Sequence, residues 1–202
     1  MTASNEHATS DESRGPAEPR SPDESRGPDQ TSDVVVVRTS GTGAPTWALG
    51  SLYEKLVSAG ETGGQLGVSI VTQPPGMASP LHVHTREAEA WFILDGTMTY
   101  LAGGRLVDLA AGDFIYLPRD VPHGFRTTGS TPVRFLAMAI PGQLLDMYDQ
   151  VGVPATERRI PDGGVPAGDI ARWGELGQHY GLRIVGPPIA EAVAGQEHSS
   201  ST

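Results

Sequence analysis

Between residues 34 and 140 the chain runs as short apolar segments, at most nine residues long, separated by Gly, Pro and Asp. They are VVVVR (34–38), SLYEKLV (51–57), LGVSIVT (66–72), PLHVH (80–84), EAWFIL (89–94), TMTYLA (97–102), RLVDLA (105–110), DFIYLP (113–118), HGFRTT (123–128) and PVRFLAMAI (132–140). Three joints, LDGT (94–97), AGGR (102–105) and AAGD (110–113), carry the residues that tight turns require. Strands at this spacing with no helix between them predict an antiparallel sandwich or barrel, closed or double-sheeted so that few edges are exposed.

The flanks read differently. Residues 1–32 are polar, acidic and rich in Pro, Ser and Gly, with DESRGP at 11–16 and again at 23–28. Such a stretch buries too little apolar surface to offset the entropy of ordering, which predicts a disordered acidic leader. Of the net charge of −10, residues 1–33 carry −5, so the remainder is only mildly acidic. With no basic patch, nucleic-acid binding is not expected. After Pro141, Leu144, Leu145 and Tyr148 recur at helical spacing, as do Ile170, Trp173, Leu176 and Tyr180, with Asp169 placed as an N-cap and Gly181 past the end. The predicted domains are the leader (1–32), a β-barrel (33–140), a C-terminal helical extension (141–189) packing outside the barrel, and a disordered tail (190–202). Trp173 and Tyr180 are read as core residues. No apolar run reaches the roughly 20 residues needed to span a bilayer, and the first residues lack the basic start and apolar core of a secretory signal. Both point to a cytoplasmic protein with no membrane partner.

Six histidines are present, and two of them stand in HVH at 82–84. Side chains alternate along a strand, so His82 and His84 project to one face with Val83 opposite. Glu89 opens the next strand, and His123 heads another after the turn PRDVP. Two imidazoles alone form a stacked pair; three with a carboxylate fit a divalent first-row metal. With no cysteine in the chain, a metal must be held by nitrogen and oxygen.

These residues resemble the motifs of the cupin superfamily. Gly76, His82, His84, Glu89 and Gly96 meet every spacing of the first motif, and Gly112, Pro118 and His123 match the second. Asp120 stands where glycine is usual, and Thr127 where asparagine is usual. The resemblance implies an all-β fold, a cupin double-stranded β-helix (jelly-roll) barrel with one or two short C-terminal helices. It also implies one metal ion, iron, manganese, nickel, cobalt or zinc, held by His82, His84, Glu89 and His123. Glu87 lies outside the motif spacing and is set aside as a ligand. Phe125 and Thr127 share the face of His123, while Trp91 and Ile93 share that of Glu89. With Met77 at the mouth, they predict an apolar substrate pocket.

A single cupin domain followed by PGQLLDMYDQVGVPA (141–155) resembles the quercetin 2,3-dioxygenase-like cupins. That likeness implies a dioxygenase using O2 on a small flavonol-like substrate, whose hydroxyl binds the metal while Glu89 accepts its proton. Apolar surroundings are expected to raise the pKa of Glu89 and make it a better base. Related metal sets serve isomerases, epimerases, polyketide cyclases and non-catalytic binders, so fold and ligands alone leave these open. A homodimer is expected, with the 34–37 strand adding to a partner's sheet.

Overall fold

The computed structural model describes residues 35–189. The leader expected at 1–32 and the tail at 190–202 lie outside the described residues. Ten strands precede the first helix: β1 (Ala44–Ala48), β2 (Ser51–Val57), β3 (Gly67–Gln73), β4 (Pro80–His84), β5 (Ala88–Asp95), β6 (Thr97–Ala102), β7 (Arg105–Ala110), β8 (Phe114–Leu117), β9 (His123–Thr128) and β10 (Val133–Ile140). Then follow α1 (Gln143–Val151), β11 (Val153–Pro154), α2 (Asp169–His179) and β12 (Leu182–Pro188). The strands form two antiparallel sheets, ordered β11-β1-β2-β3-β10-β5-β8 and β12-β4-β9-β6-β7. No helix among the described residues is long and apolar enough to cross a membrane.

The period-2 pattern sets which residues meet between the sheets. On β10, Val133, Phe135, Ala137 and Ala139 are buried while their neighbours are more exposed. On β5, Glu89, Trp91 and Ile93 face the same way and pair with Ala139, Ala137 and Phe135 respectively. Trp91 stacks flat on Phe135 at 4.0 Å between ring centroids. Together with Met98, Tyr100 and Leu117 they form a core from both sheets. Each fully buried large apolar side chain contributes about 1.5–3 kcal/mol.

Three expectations are corrected. Val35–Arg38 is not a strand, and Val35 and Val37 are 86% and 71% exposed; the first strand is instead β1, which pairs with β2. The C-terminal segment is not purely helical, because β12 pairs along β4 and β11 along β1. Helix α2 begins after Gly168, and Asp169 lies in its first turn without making a side-chain cap.

The motif glycines occupy left-handed backbone. Gly76, Gly96 and Gly112 have φ of +74°, +79° and +94°. A Cβ on Gly96 would lie 2.8 Å from the Pro132 carbonyl oxygen and 2.9 Å from Val133 Cα, whereas one on Gly112 would meet nothing within 4 Å. Gly112→Ala is therefore expected to cost only the left-handed strain, about 1–2 kcal/mol. Gly96→Ala must also push backbone aside and is expected to cost at least about 3 kcal/mol. Urea unfolding midpoints at unchanged slope measure both; equal costs would contradict the crowding at Gly96.

Candidate metal centre

His82 lies directly opposite His123 across the β4–β9 pair. His84 sits two residues along β4 on the same face, and Glu89 enters from β5 in the facing sheet. The four side chains are 6%, 3%, 5% and 2% exposed for His82, His84, Glu89 and His123. One ligand atom from each lies within 4.8 Å of all the others. Glu89 Oε2 is 3.2 Å from His84 Nε2 and 3.3 Å from His123 Nε2. Opposite Glu89 on β10 stands Ala139, whose small side chain leaves the carboxylate room.

Two of the three histidines are oriented by the backbone. His82 Nδ1 is 2.7 Å from the Pro80 carbonyl oxygen and His123 Nδ1 is 2.8 Å from that of Val121. An Nδ1–H donated to either carbonyl leaves the Nε2 lone pair facing the cluster. The second-motif departures serve this frame. Asp120 takes the left-handed conformation that glycine would supply, with φ +62°, and its N–H donates to the His84 carbonyl at 2.8 Å. Thr127 Oγ1 donates to Pro74 O and accepts from Met77 N–H, both at 2.8 Å, tying the β3–β4 connection to β9.

Burial would raise the pKa of Glu89, but the charges and hydrogen bonds of His84 and His123 outweigh it and hold the carboxyl well below its ordinary value. The expected upward shift is thus reversed, because the imidazoles are closer than the apolar walls are influential. For His84, burial opposes protonation, yet the Glu89 charge and hydrogen bond raise its pKa overall. Burial, then the neighbouring His123 and His84, push His82 down to about 3. Three imidazoles and one ionised carboxylate, with Nε2 atoms directed inward, fit a divalent transition metal with positions left open.

Beside the cluster lies a cavity with about 50 Å³ of free space, enough for a few waters at roughly 10–15 Å³ each. His82, Glu89 and His123 face it, as do Met77, Trp91 and Phe125. Ile93 and Thr127, also expected there, do not: Ile93 is 0% exposed and packed in the core, and Thr127 is spent on the loop bonds above. Four further contributors come from beyond the barrel, Leu145 and Tyr148 of α1 among them. Ile170 and Trp173 of α2 line the cavity, and Trp173 stands edge-on to His82 at 5.4 Å. Helical spacing marks Trp173 as inward-facing; nothing local distinguishes a helix-packing indole from one that closes a cavity.

The sequence profile of the Cupin domain family matches residues 69–139, spanning β3 to β10. The chain carries a cupin domain. Over 100 residues it is 28% identical to the quercetin 2,3-dioxygenase of Bacillus subtilis, covering 50% of this chain and 29% of that protein. It is 36% identical over 67 residues to an oxalate-binding protein of Thermotoga maritima, covering 33% of this chain and 55% of the relative. The chain thus spans between about a third and just over half the length of these two relatives. Among solved structures, a predicted oxalate decarboxylase from Thermotoga maritima superposes on 52% of this chain and 98% of its own, with 26% identity and a TM-score of 0.48.

Zinc binding to the cupin domain is expected to displace a proton from His84, whereas Glu89 is already ionised and His82 already neutral at neutral pH. Affinity should then fall about tenfold per pH unit for each displaced proton once the pH drops below the raised pKa of His84. Calorimetry in buffers of different ionisation enthalpy measures the release. Affinity independent of pH from 8 to 5.5 would contradict the assignment.

Proposed function

We propose that the chain is a metal-dependent cupin enzyme that acts on a small, neutral, oxygen-bearing organic molecule, as a dioxygenase of the quercetinase type. The carrying observation is the character of the cavity. Away from the His/Glu cluster its walls are mainly aromatic and aliphatic, and among the described residues no Arg or Lys lines it. A phosphate or dicarboxylate would find no side-chain cation there to offset its desolvation. Three buried polar atoms in lining residues make no hydrogen bond within the protein: Gln73 Oε1, Trp91 Nε1 and Tyr100 Oη. Burial raises the pKa of Tyr100, so its hydroxyl remains a neutral donor. Two donors and one acceptor suit the carbonyl and hydroxyl oxygens of a polyhydroxylated aromatic ligand. The similarity to a quercetin 2,3-dioxygenase supports the same class.

His82, His84, Glu89 and His123 would hold the ion, which supplies Lewis acidity that lowers the pKa of an enol hydroxyl at an open position. Glu89, kept ionised by its imidazole neighbours, accepts that hydroxyl's proton. Trp91 and Phe125 flank the ring system and keep water from the reacting carbons. A flavonol exceeds the free space in this conformation, so its entry requires the lining to open.

The same limited space favours a second reading, a cupin that binds a smaller molecule without redox chemistry or without turnover. Incubation of iron-, manganese-, cobalt- or nickel-loaded protein with a flavonol separates the two. The leading reading expects oxygen-dependent loss of the flavonol's visible absorption with release of carbon monoxide, falling at least about a hundredfold in Glu89→Gln. Flavonol binding without oxygen-dependent loss, with every metal, would move the assignment to the second reading.

A further inference from the structure

We propose that Glu87 is the positioning residue for His84, accepting from its Nδ1–H the hydrogen bond that backbone carbonyls provide for His82 and His123. The inference rests on the metal reading above and adds to it a residue outside the ligand set.

Of the three clustered histidines, two have a partner at Nδ1 within 2.8 Å, and both partners are carbonyls two residues earlier in the chain. His84 Nδ1 is buried and has none. Its Nε2 is turned to Glu89, so Nδ1 points away from the cluster. Three residues farther on, in the turn between β4 and β5, Glu87 is only 2% exposed and its Oε2 also lacks a hydrogen bond. Glu87 does not belong to the converging ligand atoms. A buried acceptor without a donor and a buried donor without an acceptor thus lie three residues apart where the chain turns from β4 to β5, an arrangement that is costly unless the two meet.

The turn itself is held firmly. Thr85 N–H and Oγ1 both donate to the Gly181 carbonyl at 3.0 Å, and Arg86 donates to the His179 carbonyl at 2.7 Å. From the other side, Asp120 N–H holds the His84 carbonyl. A carboxylate on so fixed a support can set the ring plane and tautomer of the imidazole before an ion arrives. It then strengthens Nε2 as a ligand, because a proton held at Nδ1 by an anion leaves more electron density on the other nitrogen.

The test uses the full chain and zinc alone, comparing wild type with Glu87→Gln and Glu87→Ala. Glu87→Ala is expected to lower zinc affinity by about 10- to 100-fold in competition with a chelator, and Glu87→Gln by less, because its amide oxygen still accepts. In nitrogen-15 NMR of the zinc-loaded protein, the His84 Nδ1–H signal should shift in Glu87→Gln and exchange rapidly with water in Glu87→Ala. The His82 and His123 Nδ1–H signals should stay in place. Wild-type zinc binding with both variants within twofold, or an unmoved His84 signal, overturns this assignment and leaves the metal centre standing. A wild-type chain that takes no zinc overturns both.

Discussion

The pairing of His82 with His123 across β4 and β9 is the constraint on which the site depends. It fixes two imidazoles at neighbouring points of one sheet, and strand alternation then brings His84 to the same face. Glu89 completes the set from the facing sheet, so the cluster exists only while the two sheets are packed at their proper separation. What holds them so is the contact of Trp91 with Tyr100 and Phe125 of the other sheet, and the core around it. The C-terminal segment is part of the same device. By pairing Leu182 with His84 and Ile184 with His82, β12 makes β4 an interior strand, and a strand flanked on both sides cannot shift register easily. Helix α2, between β11 and β12, carries Trp173 over the cavity.

Electrostatics make the cluster coherent before any ion is considered. A carboxylate as buried as Glu89 is expensive to ionise in isolation, yet two imidazole nitrogens within 3.3 Å keep it ionised. The Glu89 charge favours the protonated form of His84, while burial and then the other two rings keep His82 neutral. The arrangement therefore presents a preformed donor set of low net charge. A divalent ion would displace a proton from this set and draw the four groups together around it.

The parts of this architecture that follow from local period could be read from the sequence. His82, His84, Glu89, His123, Trp91 and Phe125 are placed by alternation and by the turns that bound their strands. Features set by partners distant in the chain could not. Val34–Val37 has strong strand propensity, but the described part of it has no neighbour. APTWA and LRIVGPP contain prolines that demote them as strands, yet β1 and β12 form because they are edge or near-edge strands with something to pair against. Sharing a face with a ligand did not make Ile93 or Thr127 cavity residues, since one lies deeper in the core and the other secures a loop. The direction of the Glu89 shift was likewise invisible, because it depends on how closely His84 and His123 approach it from two other strands.

The central claim is that four side chains from three strands jointly bind one divalent ion. X-ray absorption at the metal edge, on protein exposed to stoichiometric iron, manganese, cobalt, nickel or zinc, tests it most directly. The account predicts one ion per chain with three imidazole nitrogens in its inner shell, at about 2.0–2.1 Å for zinc. A chain that retains none of these ions, or holds one with fewer than three imidazoles, would contradict it.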